Sequence, residues 1–196
     1  MMNPRLQHQL DFLRAVDALK GIKRQTLIAT GERQETDAEH SWHVALMAWV
    51  LGEYSKAKID LFKVVIMLLI HDLVEIIAGD TYFYQTKERK LAKAREQAAA
   101  AKIFSLLPFD QAQILKRFWE EFEERKTPEA KFAAAMDRVQ PIINNFLTGG
   151  KSWREHNVTS TMVLEKCRHI KNGAPLLWEY IQQLIQEAVE QGMLPA

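Results

Sequence analysis

With 196 residues, 47% of them hydrophobic and 26% charged, the chain is long enough for one globular domain that buries its core without staples. A formal net charge of +1 gives no electrostatic case for a nucleic-acid polymer or an anionic membrane surface. Cys167 is the one cysteine, which excludes an intramolecular disulfide and a thiolate-rich metal site and suits the reducing cytoplasm.

The opening stretch lacks the apolar core of a signal peptide; Leu6, Leu10, Leu13, Val16 and Leu19 recur at helical spacing and Gly21 closes the helix. A polar connection from Gln25 to Glu35 follows, with Arg24 just before it and Arg33 within it, both able to face a cleft. Thr36-Asp37-Ala38-Glu39 is a capping box, worth about 1 kcal/mol, that starts a helix carrying His40, His43, Val44, Met47 and Leu51 and ending near Tyr54. Trp42 and Trp49 on that helix read as core or dimer-interface residues.

Asp60 caps the central helix, which runs through VVIMLLIHDLVEIIAGD from Val64 to Asp80 with Gly79 just past its end. Its apolar run, Val64 to Ile70, falls far short of the roughly 20 residues of a membrane span. Asp80 and Thr81 leave its C-terminal end, at the mouth of a site. Residues 87–107 form an alanine-rich helix stopping before Pro108, its charge read as solvated surface, with Lys87, like Arg33, read either as holding its loop or as a phosphate contact. Asp110 caps an amphipathic helix whose buried stripe is Ile114, Leu115, Phe118, Trp119 and Phe122. Thr127-Pro128 opens a helix through Ala133, Ala134, Ala135 and Asp137, with a kink expected at Pro141. Beyond Gly149-Gly150, a polar loop with Trp153 and His156 leads to packing helices over 159–171 and 175–191. His8, His156 and His169 read as surface. No strand alternation persists, so the expected fold is all-α: one bundle of about eight helices over 1–196.

His71, Asp72 and Glu75 continue the most apolar stretch of the chain, where an unpaired carboxylate costs several kcal/mol, so something must hold them. On an unbroken helix His71 and Glu75 are i, i+4 and share a face with Asp72. His40, His71, Asp72 and Asp137, drawn from three helices, make a mixed nitrogen and oxygen set for one divalent cation: Mn, Co, Fe, Zn, Ni or Mg rather than Ca. Such an ion lowers the pKa of a water, and Glu75 is placed to orient or deprotonate that water. His43 reads as a supporting or packed histidine and is left off the ligand set.

The sequence resembles the HD-domain metal-dependent phosphohydrolases. AEHSWHVALMA around His40, HDLVEIIAGDT around His71 and the distal Asp137 are similar to the 5′-deoxynucleotidase subgroup, over residues 19–147. The resemblance implies that His40, His71, Asp72 and Asp137 are metal ligands, Glu75 the catalytic acidic residue and Asp80 a substrate-binding aspartate. It places Arg24 on the phosphate, one residue out of the family's spacing. Gln25 stands where the subgroup has a tryptophan beside the sugar, leaving the deoxyribose preference open. Members are all-helical, usually homodimeric, and release phosphate from nucleoside monophosphates. No histidine lies between Asp72 and Glu155, which favours one metal over two.

The expected function is a cytoplasmic nucleoside 5′-monophosphate phosphohydrolase, with Asp72 and Glu75 catalytic and Arg24, Asp80, Thr81 and Arg33 on the substrate. A pyrophosphohydrolase of nucleoside polyphosphates or alarmones is the enzymatic alternative, and a metal- and nucleotide-binding regulator without turnover the alternative of another class.

Overall fold

The computed structural model describes residues 3–79 and 89–195, apart from the side chains of 89–92. Asp80, Thr81 and Lys87 lie outside the described residues. Helix α1 (Pro4–Val16), capped by Asn3, passes through a 3-10 turn (Asp17–Gly21) into a two-stranded antiparallel ribbon, β1 (Lys23–Leu27) and β2 (Gln34–Thr36). The ribbon stands where the sequence suggested only a polar connection; strands this short leave almost no alternation to read. Among the described residues every other regular element is a helix, so the fold is all-α.

The capping box forms at Thr36 and starts α2 (Asp37–Leu51). Asp60 caps α3, but α3 is Leu61–Ile70 and stops there. Residues 71–74 are turns, and a short α4 (Glu75–Ala78) ends at Gly79, whose φ of 78° suits a residue without Cβ. The expected unbroken helix through Glu75 is therefore corrected to two segments. Helices α5 (Arg89–Phe104) and α6 (Phe109–Glu124) follow. Pro108, not Asp110, holds the cap position of α6, and Asp110 instead pairs with Arg5 at 2.8 Å. Within the expected α6 stripe Trp119 and Phe122 are buried, whereas Ile114 is exposed.

Helix α7 (Pro128–Leu147) starts at the Thr127 cap and continues through Pro141. Then come α8 (Lys151–Glu155), α9 (Ser160–Cys167), α10 (Ile170–Gly173) and α11 (Pro175–Glu190). The expected polar loop around Trp153 is thus a short helix, with that indole fully buried. Apolar enclosure outweighed the polar neighbours.

Helix α7 is the axis of the larger apolar cluster, which joins Val44 and Ala48 of α2, Met67 and Leu68 of α3, Phe132 to Met136, and Ile181 and Ile185 of α11. Helix α10 lies against α7 so closely that a Cβ at Gly173 would run into the carbonyl of Lys131. A smaller cluster joins Phe12, Ile70, Leu73, Val74, Ile103, Phe104 and Trp119. Leu68 belongs to the first cluster and Ile70 to the second, so α3 ends at their junction. There the ionisable residues sit.

Candidate metal centre

Three helices deliver the side chains. His40 lies in the first turn of α2, fixed by the capping box, in which Thr36 Oγ1 accepts from the Glu39 amide at 3.3 Å and Glu39 Oε2 from the Thr36 amide at 2.9 Å. His71 and Asp72 follow the last residue of α3. The end of a helix leaves its final carbonyls without intrahelical amides, and His71 Nδ1–H donates to one of them, Leu68 O, at 2.7 Å. The break in the central helix thus orients the His71 imidazole. Asp137 comes from the middle of α7.

His40 Nε2 stands 3.0 Å from Asp137 Oδ1; His71 Nε2 stands 3.5 Å from that oxygen and 3.2 Å from Asp72 Oδ1. Donor atoms of His40, His71 and Asp72 all lie within 4.8 Å of one another, and all four residues are buried. The sequence-derived ligand set is therefore one cluster. His71 Nδ1–H donates to Leu68 O and His40 Nδ1 lies 3.0 Å from Gln140 Oε1, which turns both Nε2 nitrogens onto carboxylate oxygens, His40 Nε2 within hydrogen-bond distance of Asp137 Oδ1 at 3.0 Å. Nitrogens and carboxylate oxygens facing each other so closely need positive charge between them, a proton or a cation. His71 Nε2 is buried without a full hydrogen-bond partner, which fits the same reading. Two imidazoles and two carboxylates could hold a divalent ion, and donors of this kind do not select which.

The electrostatics carry the same demand for positive charge. Burial alone lowers the His71 imidazole, but Asp72 and Asp137 outweigh it and raise it to about 8. Burial raises the Asp137 carboxyl, and Arg138, His40 and His71 overcome it to hold that group well below the usual range. Arg138 Nη2 lies 2.9 Å from Asp137 Oδ2. Phe122 packs 5.1 Å from the His71 ring, an apolar wall on that side.

Arg24, on β1, reaches the centre. Its Nη1 donates to Asp72 Oδ2 at 2.6 Å and to Asp37 Oδ1 at 2.8 Å. Burial would lower this guanidinium, yet Asp72, Asp37, Glu75 and Asp137 together raise it. Asp37 is fully buried, and burial, then the nearby Asp72, push its carboxyl up to about 6 against the opposing Arg24. Glu75 acts on both Asp37 and Arg24, so it stands beside the Arg24–Asp72 pair despite the broken helix. Arg33 is not brought to this group: its guanidinium is half exposed and forked onto Glu39 at 2.6 and 2.8 Å. His43 lies 3.4 Å from Gln140 Nε2, beside the centre rather than in it. His169, expected at the surface, is half-buried next to Arg125.

Four residues escaped sequence reasoning: Glu35, Asp37, Arg138 and Gln140. Asp37 reads as an ordinary first-turn acid that favours the helix dipole. Arg138 follows Asp137 directly, and that adjacency was the available signal. Glu35 and Gln140 lie 105 residues apart, and nothing local marks them.

Comparisons agree with this geometry. Residues 16–178 match the family described as HD domain. The human protein named 5′-deoxynucleotidase HDDC2 is 31% identical over 135 residues, 68% of this chain and 65% of that protein, so the chain spans about two thirds of its length. A crystal structure from Magnetospirillum magnetotacticum MS-1, described as a predicted metal-dependent phosphohydrolase, shares 44% identity at a TM-score of 0.94, covering 98% of this chain and 96% of that one. An HD-domain phosphohydrolase structure from Listeria innocua, 16% identical with a TM-score of 0.59 over 93% of this chain and 99% of that one, shares the fold. The family match over most of the chain, on a fold that gathers its histidines and aspartates at one point, establishes that this protein belongs to the HD-domain family.

Proposed function

We propose that this protein is a metal-dependent phosphomonoesterase that hydrolyses nucleoside 5′-monophosphates to nucleoside and phosphate, with His40, His71, Asp72 and Asp137 holding one divalent ion. The observation that carries the reading is the convergence of two Nε2 nitrogens on oxygens of Asp72 and Asp137, 3.0 to 3.5 Å apart, in a buried cluster. The names of the human and Magnetospirillum relatives point the same way.

The ion would supply an electrophile that acidifies a water and neutralises phosphoryl charge. Glu75, beside Asp37 and Arg24, takes the proton of the water that attacks phosphorus. Arg24, held by Asp37 and Asp72, sets a fixed positive charge next to the reacting phosphate, and its buried Nε, without an acceptor of its own, is a donor for a phosphoryl oxygen. Asp37 acts as the brace that keeps Arg24 there. Asp80 and Thr81, which follow Gly79, are assigned to the nucleoside on the sequence pattern.

A homodimer joined through α2 belongs to the same reading. Trp42, Leu46, Trp49 and Val50 are 62%, 47%, 63% and 61% exposed, and their spacing puts them on one helix face. The cytoplasm is the proposed compartment, on the free, buried Cys167. Among the described residues no helix is long and apolar enough to cross a membrane.

The test is a phosphate-release screen of ribo- and deoxynucleoside monophosphates with several divalent metals, run beside Asp72→Ala. Orthophosphate release that this variant loses supports the reading. Pyrophosphate release from nucleoside polyphosphates would replace it, and equal activity in the variant would assign the activity to a contaminant.

A further inference from the structure

The structure assigns Glu35 and Gln140 as positioning residues that dictate which nitrogen of His40 is free to bind a metal; this rests on the proposed role of His40 as a ligand. Gln140 is 1% exposed and Glu35 3%, so both are held in a fixed environment between β2, α2 and α7. The Gln140 amide has two different ends, and the centre uses both. Its carbonyl, Oε1, accepts from His40 Nδ1–H at 3.0 Å, while its Nε2 donates to Glu35 Oε1 at 2.5 Å and faces His43 Nδ1 at 3.4 Å.

An amide can turn over, exchanging oxygen for nitrogen, and here the two orientations have opposite consequences. With the observed orientation Gln140 is an acceptor toward His40, so an N–H is held on Nδ1, and Nε2, 3.0 Å from Asp137 Oδ1, is the nitrogen left to take a cation. Turned over, Gln140 would offer N–H to Nδ1, the proton would move to Nε2, and the metal-facing nitrogen would be blocked. Glu35 decides between them because an ionised carboxylate accepts and does not donate. It tolerates only the NH₂ end of Gln140. The other Glu35 oxygen, Oε2, lies 3.6 Å from His40 Nδ1 and forms no hydrogen bond, so the carboxylate acts on the imidazole through the amide rather than directly. His43 takes the second Nε2 hydrogen in the same sense. The chain Glu35, Gln140, His40 thereby converts one buried negative charge into a fixed tautomer, a function that partners of metal-bound histidines serve in general.

The test is calorimetric titration of Co²⁺ into the metal-stripped full chain, with the cobalt absorption spectrum and thermal unfolding of the metal-free protein recorded for each variant. Gln140→Met keeps the length of the side chain and removes both ends of the amide; Co²⁺ should bind about 10–100-fold more weakly. Glu35→Met should weaken binding in the same direction. Glu35→Gln, which can accept from Gln140 in one orientation and donate to it in the other, should weaken binding by a smaller factor than Glu35→Met. Because Glu35 acts through Gln140, the double variant Glu35→Met/Gln140→Met should bind no more weakly than Gln140→Met alone, which two independent packing defects would not do. Should Gln140→Met fail to fold, the contrast between Glu35→Gln and Glu35→Met decides. If wild type binds Co²⁺ and His40→Ala loses it, but both methionine variants bind within about twofold, the positioning role is overturned while the ligand reading stands. If wild type binds no Co²⁺, or His40→Ala binds as well as wild type, the ligand reading fails and this inference falls with it.

Discussion

The two histidines of the centre are oriented by opposite means. His71 is aimed by its own helix, through a carbonyl three residues back that the end of α3 sets free. His40 is aimed by Gln140, which lies 100 residues away, and through it by Glu35 on the ribbon. The local device needs no particular side chain and survives substitution around it; the distant one exists only in the folded protein and depends on every member. A third histidine sharpens the contrast. His169 Nδ1–H also donates to a carbonyl three residues back, Lys166 O, at 3.0 Å, but its Nε2 faces Arg125 at 3.4 Å instead of carboxylates. Alike in hydrogen bonding, His71 is raised to about 8 by Asp72 and Asp137, and His169 is pushed down to about 4 by burial, Arg125 and Arg138. The neighbours of Nε2, not the orienting bond, make a histidine a place for a cation.

The largest effect expected is on the shared centre. Asp72→Ala removes a proposed ligand and the anchor of Arg24 at once, and phosphate release should fall by on the order of 10³-fold or more. A variant that keeps a tenth of the activity would remove Asp72 from the machinery.

Leu68→Ala separates the two means of orientation. Leu68 is fully buried, so truncation should cost about 2–5 kcal/mol in denaturant unfolding, yet the carbonyl that holds His71 is untouched. Cobalt affinity should stay within about twofold of wild type. A drop of tenfold would show that side-chain packing, not the helix end, aims His71.

The lowered His169 has a pH signature. Its folded value, about 4, lies below the ordinary 6.5, so between those values the unfolded chain binds a proton that the folded chain refuses. Stability is therefore lost as pH falls from 6.5 toward 4. The groups acting on the ring are Arg125, Arg138, Asp137 and the Lys166 carbonyl, and the two arginines outweigh Asp137. His169→Gln should flatten that part of the stability profile; an unchanged slope would assign it to other groups.

Thr36→Ala should have the smallest effect, about 1 kcal/mol from loss of the cap, read as a modest fall in Tm. Since His40 sits one turn beyond that cap, cobalt affinity should fall only slightly if Gln140 is the main constraint on the ring.

The same contrast explains what the sequence made legible. The clustered residues could be read because their chemistry is local and conspicuous: carboxylates and an imidazole directly after an apolar run, and a capping box ahead of His40. The end of α3 could not be read, since every residue from Val64 to Ile77 is compatible with helix except for the demand that the centre makes on His71. The ribbon was missed because its strands are five and three residues long. Arg33 and Arg24 look equivalent in sequence, and only the ribbon's folding sends one to Asp72 and the other to Glu39. Glu35 and Gln140 are meaningful only as a pair, and pairs between distant segments leave no mark on either.

The most direct measurement is anomalous scattering from crystals of the protein loaded with Co²⁺ or Mn²⁺. A single peak should appear per chain, about 2.0–2.3 Å from His40 Nε2, His71 Nε2 and one oxygen each of Asp72 and Asp137. No peak at that position, or one bound through His40 Nδ1, would contradict the account at its centre.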